Sequence, residues 1–261
     1  MNNNILIKNL HVTFNKKNIL TDININIPNN SILSVIGKNG IGKTTLINCM
    51  SKKIEEYKGT ICINKKDIRD YTIKELSTVL SILHSDCQIY NNSRVKDYLV
   101  MGLTNEMSLF DTPSDEQYER VYTALKRFKK EYLFDKDIFL LSSGELQIVK
   151  IARALLQNTP IMIFDEPTEN LDIESQLLIL DLLRNLHKKG YTIIVITHNI
   201  RHVLELRGKC LFLNNGKYTY CESDDIVSIE NLNKYCNSKI EYLKDSNGVV
   251  IKFFNNIKIY I

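Results

Sequence analysis

The chain has 261 residues, of which 44% are hydrophobic and 25% charged, and a formal net charge of +4, so it can bury the core of one large α/β domain, or of a domain with a small additional lobe. Lysine and arginine are scattered among aspartate and glutamate rather than gathered into a basic stripe, so the charge pattern gives no support for nucleic-acid binding and we expect no such partner. No apolar run approaches the roughly 20 residues that cross a bilayer and no secretory leader is recognisable, so we expect a cytoplasmic protein that meets a membrane only through a partner.

The N-terminal 35 residues have the pattern of β-strands. Apolar residues cluster at 5–7 and 11–14, and residues 23–27 alternate isoleucine with asparagine, which is typical of a strand with one buried face. After a Pro-Asn-Asn turn, the short apolar run at 31–36 ends at a glycine, which suits a buried parallel strand.

A phosphate-binding loop follows this strand. Residues 37–44 match the pattern G-x-x-x-x-G-K-[ST], and they lie between the predicted strand and a helix predicted over 43–54. Glycines let backbone N–H groups close around phosphates, and the positive end of the helix faces them. Lys43 is predicted to reach the β- and γ-phosphates, and the Thr44 hydroxyl to bind Mg²⁺. The other predicted nucleotide contacts in this loop are Gly37, Asn39, Gly40, Gly42 and Thr45.

The middle of the chain is predicted to be helical. After a strand at 59–64, the β-pattern disappears from about 86 to 158, and residues 115–130 carry apolar side chains at helical spacing. A long helix begins near Ser142, where the serine and Glu145 form a capping-box pattern. The same hydroxyl and helix start could also bind an anion, and the two interpretations are compatible.

Strands return after residue 160 and carry carboxylates at their ends. The apolar run at 161–164 leads to Asp165 and Glu166, where Asp165 is predicted to hold Mg²⁺ through water and Glu166 to act as the general base for an attacking water. A helix at 173–189 separates this strand from another at 192–196, which leads to His198.

With these motifs in place, the chain resembles an ATP-binding-cassette (ABC) ATPase over essentially its whole length. Residues 141–147, Leu-Ser-Ser-Gly-Glu-Leu-Gln, are similar to the family's signature motif, and residues 169–172 to the loop through which two subunits communicate. Phe14 occupies the place of the aromatic that stacks on adenine. The resemblance implies a P-loop NTPase of the α/β class, with an antiparallel β subdomain, a RecA-like core and an all-helical subdomain.

The resemblance also implies that the protein works as a head-to-tail dimer. Each ATP would lie between the phosphate loop of one chain and the signature segment of the other, so that ATP closes the dimer and hydrolysis opens it. His198 would contact the γ-phosphate and orient the water, and Glu166 and Lys43 would complete the catalytic set. The residues implied to approach the ATP across the interface are Ser142, Ser143, Gly144, Glu145 and Asp172.

One segment matches a guanine-binding pattern by its letters alone, and two positions depart from the family's motifs. Residues 64–67 match N-K-x-D, but they precede Asp165, so they indicate a turn and ATP is the expected nucleotide. Ser143 replaces a signature glycine and keeps the backbone N–H, so we expect function to persist. The family's Mg²⁺-sensing glutamine has no direct counterpart, because Ser85 stands in its place, and Gln88, Ser85 or His84 could serve instead.

The domain and partner predictions follow the same resemblance. A nucleotide-binding domain is expected over 1–216, with its helical subdomain at about 86–158, and an α/β C-terminal extension over 217–261 packed on the same domain. Residues 94–102 and the tail resemble the subunits that drive iron-siderophore, haem and cobalamin uptake. We therefore favour an importer that docks through 84–103 on a membrane permease, at the inner face of the membrane, with an extracytoplasmic substrate-binding protein. The alternatives are another ABC transporter class and a soluble ABC ATPase of the iron–sulfur assembly type.

Overall fold

The strands and helices follow from a computed structural model that describes residues 5–84, 93–108, 111–214, 216–227, 239–245 and 248–254. The strands are β1 (Ile5–Phe14), β2 (Lys17–Ile27), β3 (Ile32–Ile36), β4 (Lys58–Ile63), β5 (Lys66–Asp67), β6 (Leu80–Leu83), β7 (Ile161–Asp165), β8 (Thr192–Ile196), β9 (Lys209–Asn214), β10 (Lys217–Glu222), β11 (Lys239–Asp245) and β12 (Gly248–Phe254). The α-helices are α1 (Lys43–Met50), α2 (Ile73–Val79), α3 (Val95–Val100), α4 (Asp115–Lys126), α5 (Ser143–Leu156), α6 (Ile173–Lys188) and α7 (Ile200–Leu206).

A six-stranded sheet forms the centre of the fold, in the order β10-β9-β3-β8-β7-β6. The strands from β9 to β6 are parallel, and β10 pairs antiparallel with β9 at the edge. Every residue of β3, β7 and β8 is buried, which explains why their sequences are almost continuously apolar. Because the strands are parallel, the carboxyl ends of β3, β7 and β8 meet at one edge of the sheet.

A four-stranded antiparallel sheet, in the order β2-β1-β4-β5, packs beside the central one. Ile23, Ile25 and Ile27 are buried while the asparagines between them are exposed, as the alternation predicts. The two apolar segments at 5–7 and 11–14 lie in a single strand, β1, whose register shifts between them. The tyrosines of β10 tie the two sheets together, since their hydroxyls donate to the backbone carbonyls of Asn24 and Asn26.

The helical region is made of α3, α4 and α5, which bury a shared apolar core. Two predicted helices end earlier than the pattern suggested. The helix predicted over 43–54 stops at Met50, and the one predicted over 115–130 stops at Lys126. Lys52 and Lys129 have positive φ angles just beyond these ends, a backbone conformation that stops a helix. Within the described ranges, no helix is long and apolar enough to cross a bilayer.

The predicted division after residue 216 falls inside the β9–β10 hairpin. Because β10 completes the central sheet, the first strand of the predicted C-terminal extension belongs structurally to the core. The extension continues with a 3₁₀ turn at Ser223–Val227 and then with β11 and β12, which pair antiparallel with each other. The domain limits themselves remain a prediction.

Candidate functional site

The loop between β3 and α1 requires glycine at both of its ends. Gly42 has a φ of 114°, and a Cβ there would lie 3.0 Å from side-chain atoms of Ile19 and Leu20. A Cβ on Gly37 would lie 2.7 Å from the carbonyl oxygen of Leu213. Glycine at the start of α1 also offers no capping side chain, so the first N–H groups of the helix stay directed toward the loop.

Lys43 is the first residue of α1, and its side chain folds back into this loop. Its Nζ donates to the carbonyl oxygen of Gly37 at 2.6 Å and to that of Lys38 at 3.2 Å, and the residue is only 7% exposed. Burial lowers the pKa of the ammonium, although the nearby Glu166 and Asp165 carboxylates act in the opposite direction. An ammonium held among backbone N–H groups at a helix start is suited to bind phosphate oxygens.

A cleft of about 310 Å³ opens at this edge of the sheet. It is lined by Asn39, Gly40, Gly42, Lys43, Thr44, Thr45, Asp165 and Glu166. The structure therefore brings most of the predicted loop residues together with both predicted carboxylates. The Thr44 hydroxyl and the buried Asp165 carboxylate supply hard oxygen donors, which are the ligands that Mg²⁺ prefers.

Glu166 and His198 are in contact beside this cleft. Nδ1 of His198 lies 2.9 Å from Oε1 of Glu166. The contact arises because β7 and β8 are neighbours, and because the N–H of Glu166 donates to the carbonyl of Ile196 at 2.9 Å. Glu166 has a φ of 48°, so the chain turns sharply as it leaves β7. A carboxylate paired with an imidazole can accept and orient a proton of a bound water.

Gln147 holds the same turn from the helical region, and sequence reasoning assigned it no role. Its Nε2 donates to the backbone carbonyls of Glu166 and Pro167, each at 3.1 Å. α5 is thereby connected directly to the residue that follows β7. The only hint in the sequence is that this glutamine closes the signature-like segment.

The predicted capping box at the start of α5 is confirmed. Oγ of Ser142 accepts from the N–H of Glu145 at 3.2 Å, and the Glu145 carboxylate accepts from the N–H of Ser142 at 2.9 Å. This backbone hydrogen bond, more than any other contact, lowers the pKa of Glu145. Ser142 and Ser143 are exposed, and neither lines the cleft of its own chain. Gly144 packs closely on the 169–172 loop, where a Cβ would lie 3.1 Å from the Asn170 carbonyl.

The remaining predicted residues lie apart from the cleft. Phe14 is at the end of β1, where it pairs with Lys17 in the hairpin and stays 46% exposed. Asp172 caps α6, because its Oδ1 accepts from the N–H of Ser175 at 2.8 Å, and this bond lowers the pKa of Asp172. His84 directly follows β6 and is half-buried. Ser85 and Gln88, the other two candidates for the missing glutamine, lie outside the described residues.

Comparison with known proteins places this arrangement in a family. Residues 20–169 match the family described as ABC transporter. An iron chelatin transport ATP-binding protein of Helicobacter pylori is 33% identical over 79% of this chain and 85% of its own length. The manganese transport system ATP-binding protein of Bacillus subtilis is 30% identical over 91% of this chain and 94% of its own length. A structure described as a metal-chelate type ABC transporter in an inward-facing conformation superposes with a TM-score of 0.82 at 24% identity, over 97% of both chains.

Proposed function

The chain belongs to the ABC transporter family as an ATP-binding and ATP-hydrolysing subunit, and on that premise we propose that it powers the import of an iron chelate or a related metal complex. The proposed cargo class rests on the names of similar proteins. Besides the iron chelatin and manganese proteins, the iron(3+)-hydroxamate import ATP-binding protein of Bacillus subtilis is 31% identical over 82% of this chain. Because one of these relatives is named for manganese transport, the proposed cargo includes metal ions as well as siderophores and haem.

ATP binding is assigned to the loop at the start of α1. Backbone N–H groups of the loop and the Lys43 ammonium would hold the phosphates, which the depth of Lys43 in the loop supports. Thr44 and Asp165 would hold Mg²⁺, which would neutralise phosphate charge when bound. Phe14 would stack on the adenine, and its large exposed fraction leaves the ring free for that contact.

Hydrolysis is assigned to the pair at the ends of β7 and β8. Glu166 accepts a proton from the attacking water, and His198 orients the water toward the γ-phosphate. The supporting observation is the 2.9 Å contact between the His198 imidazole and the Glu166 carboxylate at the cleft. Because both backbones are held by the central sheet, the pair needs little rearrangement before reaction.

The second half of each ATP site comes from another copy of the chain. The start of α5, with Ser142, Ser143, Gly144 and Glu145, offers a hydroxyl and helix-start N–H groups on an exposed surface, away from the cleft of its own chain. In a head-to-tail dimer this surface meets the γ-phosphate bound by the partner, with Asp172 nearby in the communication loop. ATP then favours the closed dimer, and its hydrolysis releases it.

The closing and opening of the dimer would drive a membrane permease. The protein would sit at the cytoplasmic face of the membrane through that permease, contacted around 84–103, and a substrate-binding protein would deliver the metal complex from outside. The exposed Met101 side chain within this segment supports an apolar contact there.

Isolation of the tagged protein from native membranes in mild detergent, followed by mass spectrometry, tests this proposal. We expect a polytopic membrane protein together with a lipid-anchored or secreted binding protein. Uptake of radioactive iron or manganese by cells carrying Glu166→Gln should then fall relative to wild type. Recovery with soluble partners alone would favour the assembly-type ATPase, and an export-type partner would favour another transporter class.

A further inference from the structure

A buried histidine outside the predicted site joins the two catalytic loops. His202 in α7 and Thr168 are 6% and 5% exposed. Nδ1 of His202 lies 3.2 Å from Oγ1 of Thr168, and its Nε2 lies 3.1 Å from Nδ2 of Asn199. Thr168 follows Glu166 in the loop after β7, and Asn199 is the residue after His198. One imidazole therefore bridges the loops that carry Glu166 and His198.

The neighbouring hydrogen bonds determine the tautomer of this imidazole. Oδ1 of Asn199 accepts from the N–H of Arg201 at 3.0 Å, so the amide nitrogen of Asn199 is the atom that faces His202. That nitrogen can only donate, and Nε2 of His202 must therefore accept. The ring proton is left on Nδ1, which donates to the Thr168 hydroxyl.

The imidazole is kept neutral by its surroundings. Burial lowers the pKa of His202, and the nearby His198 and Arg201 lower it further, while Glu205 acts in the opposite direction. A protonated ring would also place an N–H against the amide N–H group of Asn199, and two donors cannot share a hydrogen bond. The contact with Asn199 therefore requires the neutral ring, whereas Nδ1 can donate to Thr168 in either state.

The two loops have other contacts, which differ from those made by His202. The backbone of Glu166 is tied to β8 and to Gln147, and the turn after β8 is tied to β3 by the Thr197 N–H, which donates to Val35. Those bonds hold each loop to a neighbouring strand or to α5, and the Glu166 and His198 side chains also contact each other directly. Through Thr168 and Asn199, His202 joins the loops to each other beyond the ends of the strands.

We propose that His202 is a positioning residue for ATP hydrolysis, which holds the loop of Glu166 against the loop of His198 through Thr168 and Asn199. The inference rests on the roles proposed above for Glu166 and His198. It assigns to His202 no contact with ATP. Its loss should therefore lower turnover while leaving ATP binding to the loop before α1 unchanged.

The substitution Thr168→Val tests the bridge, because it keeps the shape of the side chain and removes the acceptor for His202. We expect kcat for ATP to fall about tenfold, with the Kd for a fluorescent ATP analogue within about twofold of wild type. Thr168→Ser keeps the hydroxyl and should recover most of the lost turnover. Thr159→Val is the matched control, since Thr159 is fully buried and its hydroxyl donates to Ile161 away from the site. That control should lower the melting temperature without lowering kcat.

A second variant separates positioning from a purely structural role. His202→Leu removes both the donor to Thr168 and the acceptor for Asn199, so it should lower kcat to a similar extent. The double variant with Thr168→Val should be little slower than either single one, because both break the same bridge. Unchanged kcat in Thr168→Val, failure of Thr168→Ser to recover activity, or additive effects in the double variant would overturn the proposal. Glu166→Gln in the same assay keeps the two claims apart, because rapid hydrolysis by that variant would contradict the proposed function itself.

Discussion

Two helix starts in this molecule, both of which we propose to contact ATP phosphates, are built in opposite ways. α1 begins after Gly42, which supplies no side chain, and its first turn faces a cleft that also contains a buried ammonium and two carboxylates. α5 begins after Ser142, whose hydroxyl accepts a hydrogen bond from its own helix, and Ser142 and Ser143 are exposed. Both starts carry the partial positive charge of a helix N-terminus.

The two helix starts differ in whether they need a second copy of the chain to bind ATP. At α1, the groups that we propose to hold the ATP phosphates all come from one chain, so binding should occur in a single copy. At α5, the capping box satisfies only part of the helix start, and its first residues do not line the cleft that holds Lys43, Asp165 and Glu166 in the described part of the chain. Substitutions at α1 should therefore abolish binding, whereas substitutions at α5 should spare binding and weaken turnover.

The largest effect is expected from Lys43→Ala. Loss of a buried ammonium that holds phosphate oxygens costs about 3 kcal/mol, which corresponds to an ATP affinity lowered more than about 100-fold. Hydrolysis should disappear with it. Lys38→Ala is the matched control, because the Lys38 side chain is exposed and only its backbone carbonyl contacts Lys43. Titration with a fluorescent ATP analogue measures both, and tight binding by Lys43→Ala would refute the assignment of the α1 start.

A smaller and more specific effect is expected from Ser142→Ala. Loss of the cap should lower the free energy of unfolding by about 1 kcal/mol. We also expect turnover to fall about tenfold, because the hydroxyl presented to the partner's ATP is lost, while the affinity of a single chain for ATP stays the same. Thermal unfolding and steady-state hydrolysis measure the two consequences separately.

Ser114→Ala is a closely matched control for that experiment. Ser114 caps α4 with the same kind of capping box, which Gln117 completes. Ser114 does not line the cleft. It should lose a similar amount of stability and keep its turnover. If both variants lost turnover equally, the start of α5 would have a structural role only.

The smallest effect is expected from the dependence of stability on pH, and it arises at His202 rather than at α5. The folded state lowers the pKa of His202 below its unfolded value of about 6.5. Between the folded and unfolded pKa values, the unfolded chain therefore binds a proton that the folded chain does not bind. The stabilisation is complete above the unfolded pKa and is lost as the pH falls through the folded pKa. Urea unfolding of wild type should therefore show a steeper loss of stability between pH 7 and 5 than His202→Gln. Equal slopes would contradict the neutral, buried ring.

The parts that could be predicted from sequence are those determined by short segments. The bounds of β3, β7 and β8 were predicted within one residue. Each is a short apolar run followed closely by a glycine or by polar residues, a pattern typical of a buried parallel strand. The contact between Glu166 and His198 also follows once their strands are neighbours in a parallel sheet.

The parts that could not be predicted depend on packing between distant segments. Nothing local indicates that Gln147 reaches the carbonyls after β7, or that His202 turns inward from α7 to meet Thr168. The joining of β10 to the central sheet likewise depends on its pairing with β9 and not on its own pattern. A periodic sequence also does not show where a left-handed residue such as Lys52 stops a helix.

Sedimentation of the Glu166→Gln variant with Mg²⁺ and ATP tests most directly whether two chains complete each site. The glutamine cannot serve as a base, so bound ATP should persist and hold two copies together through the starts of α1 and α5. We expect a monomer without nucleotide or with ADP, a dimer with ATP, and loss of that dimer when Lys43→Ala is added. A variant that stays monomeric with its cleft filled by ATP, or that dimerises equally without nucleotide, would contradict this expectation.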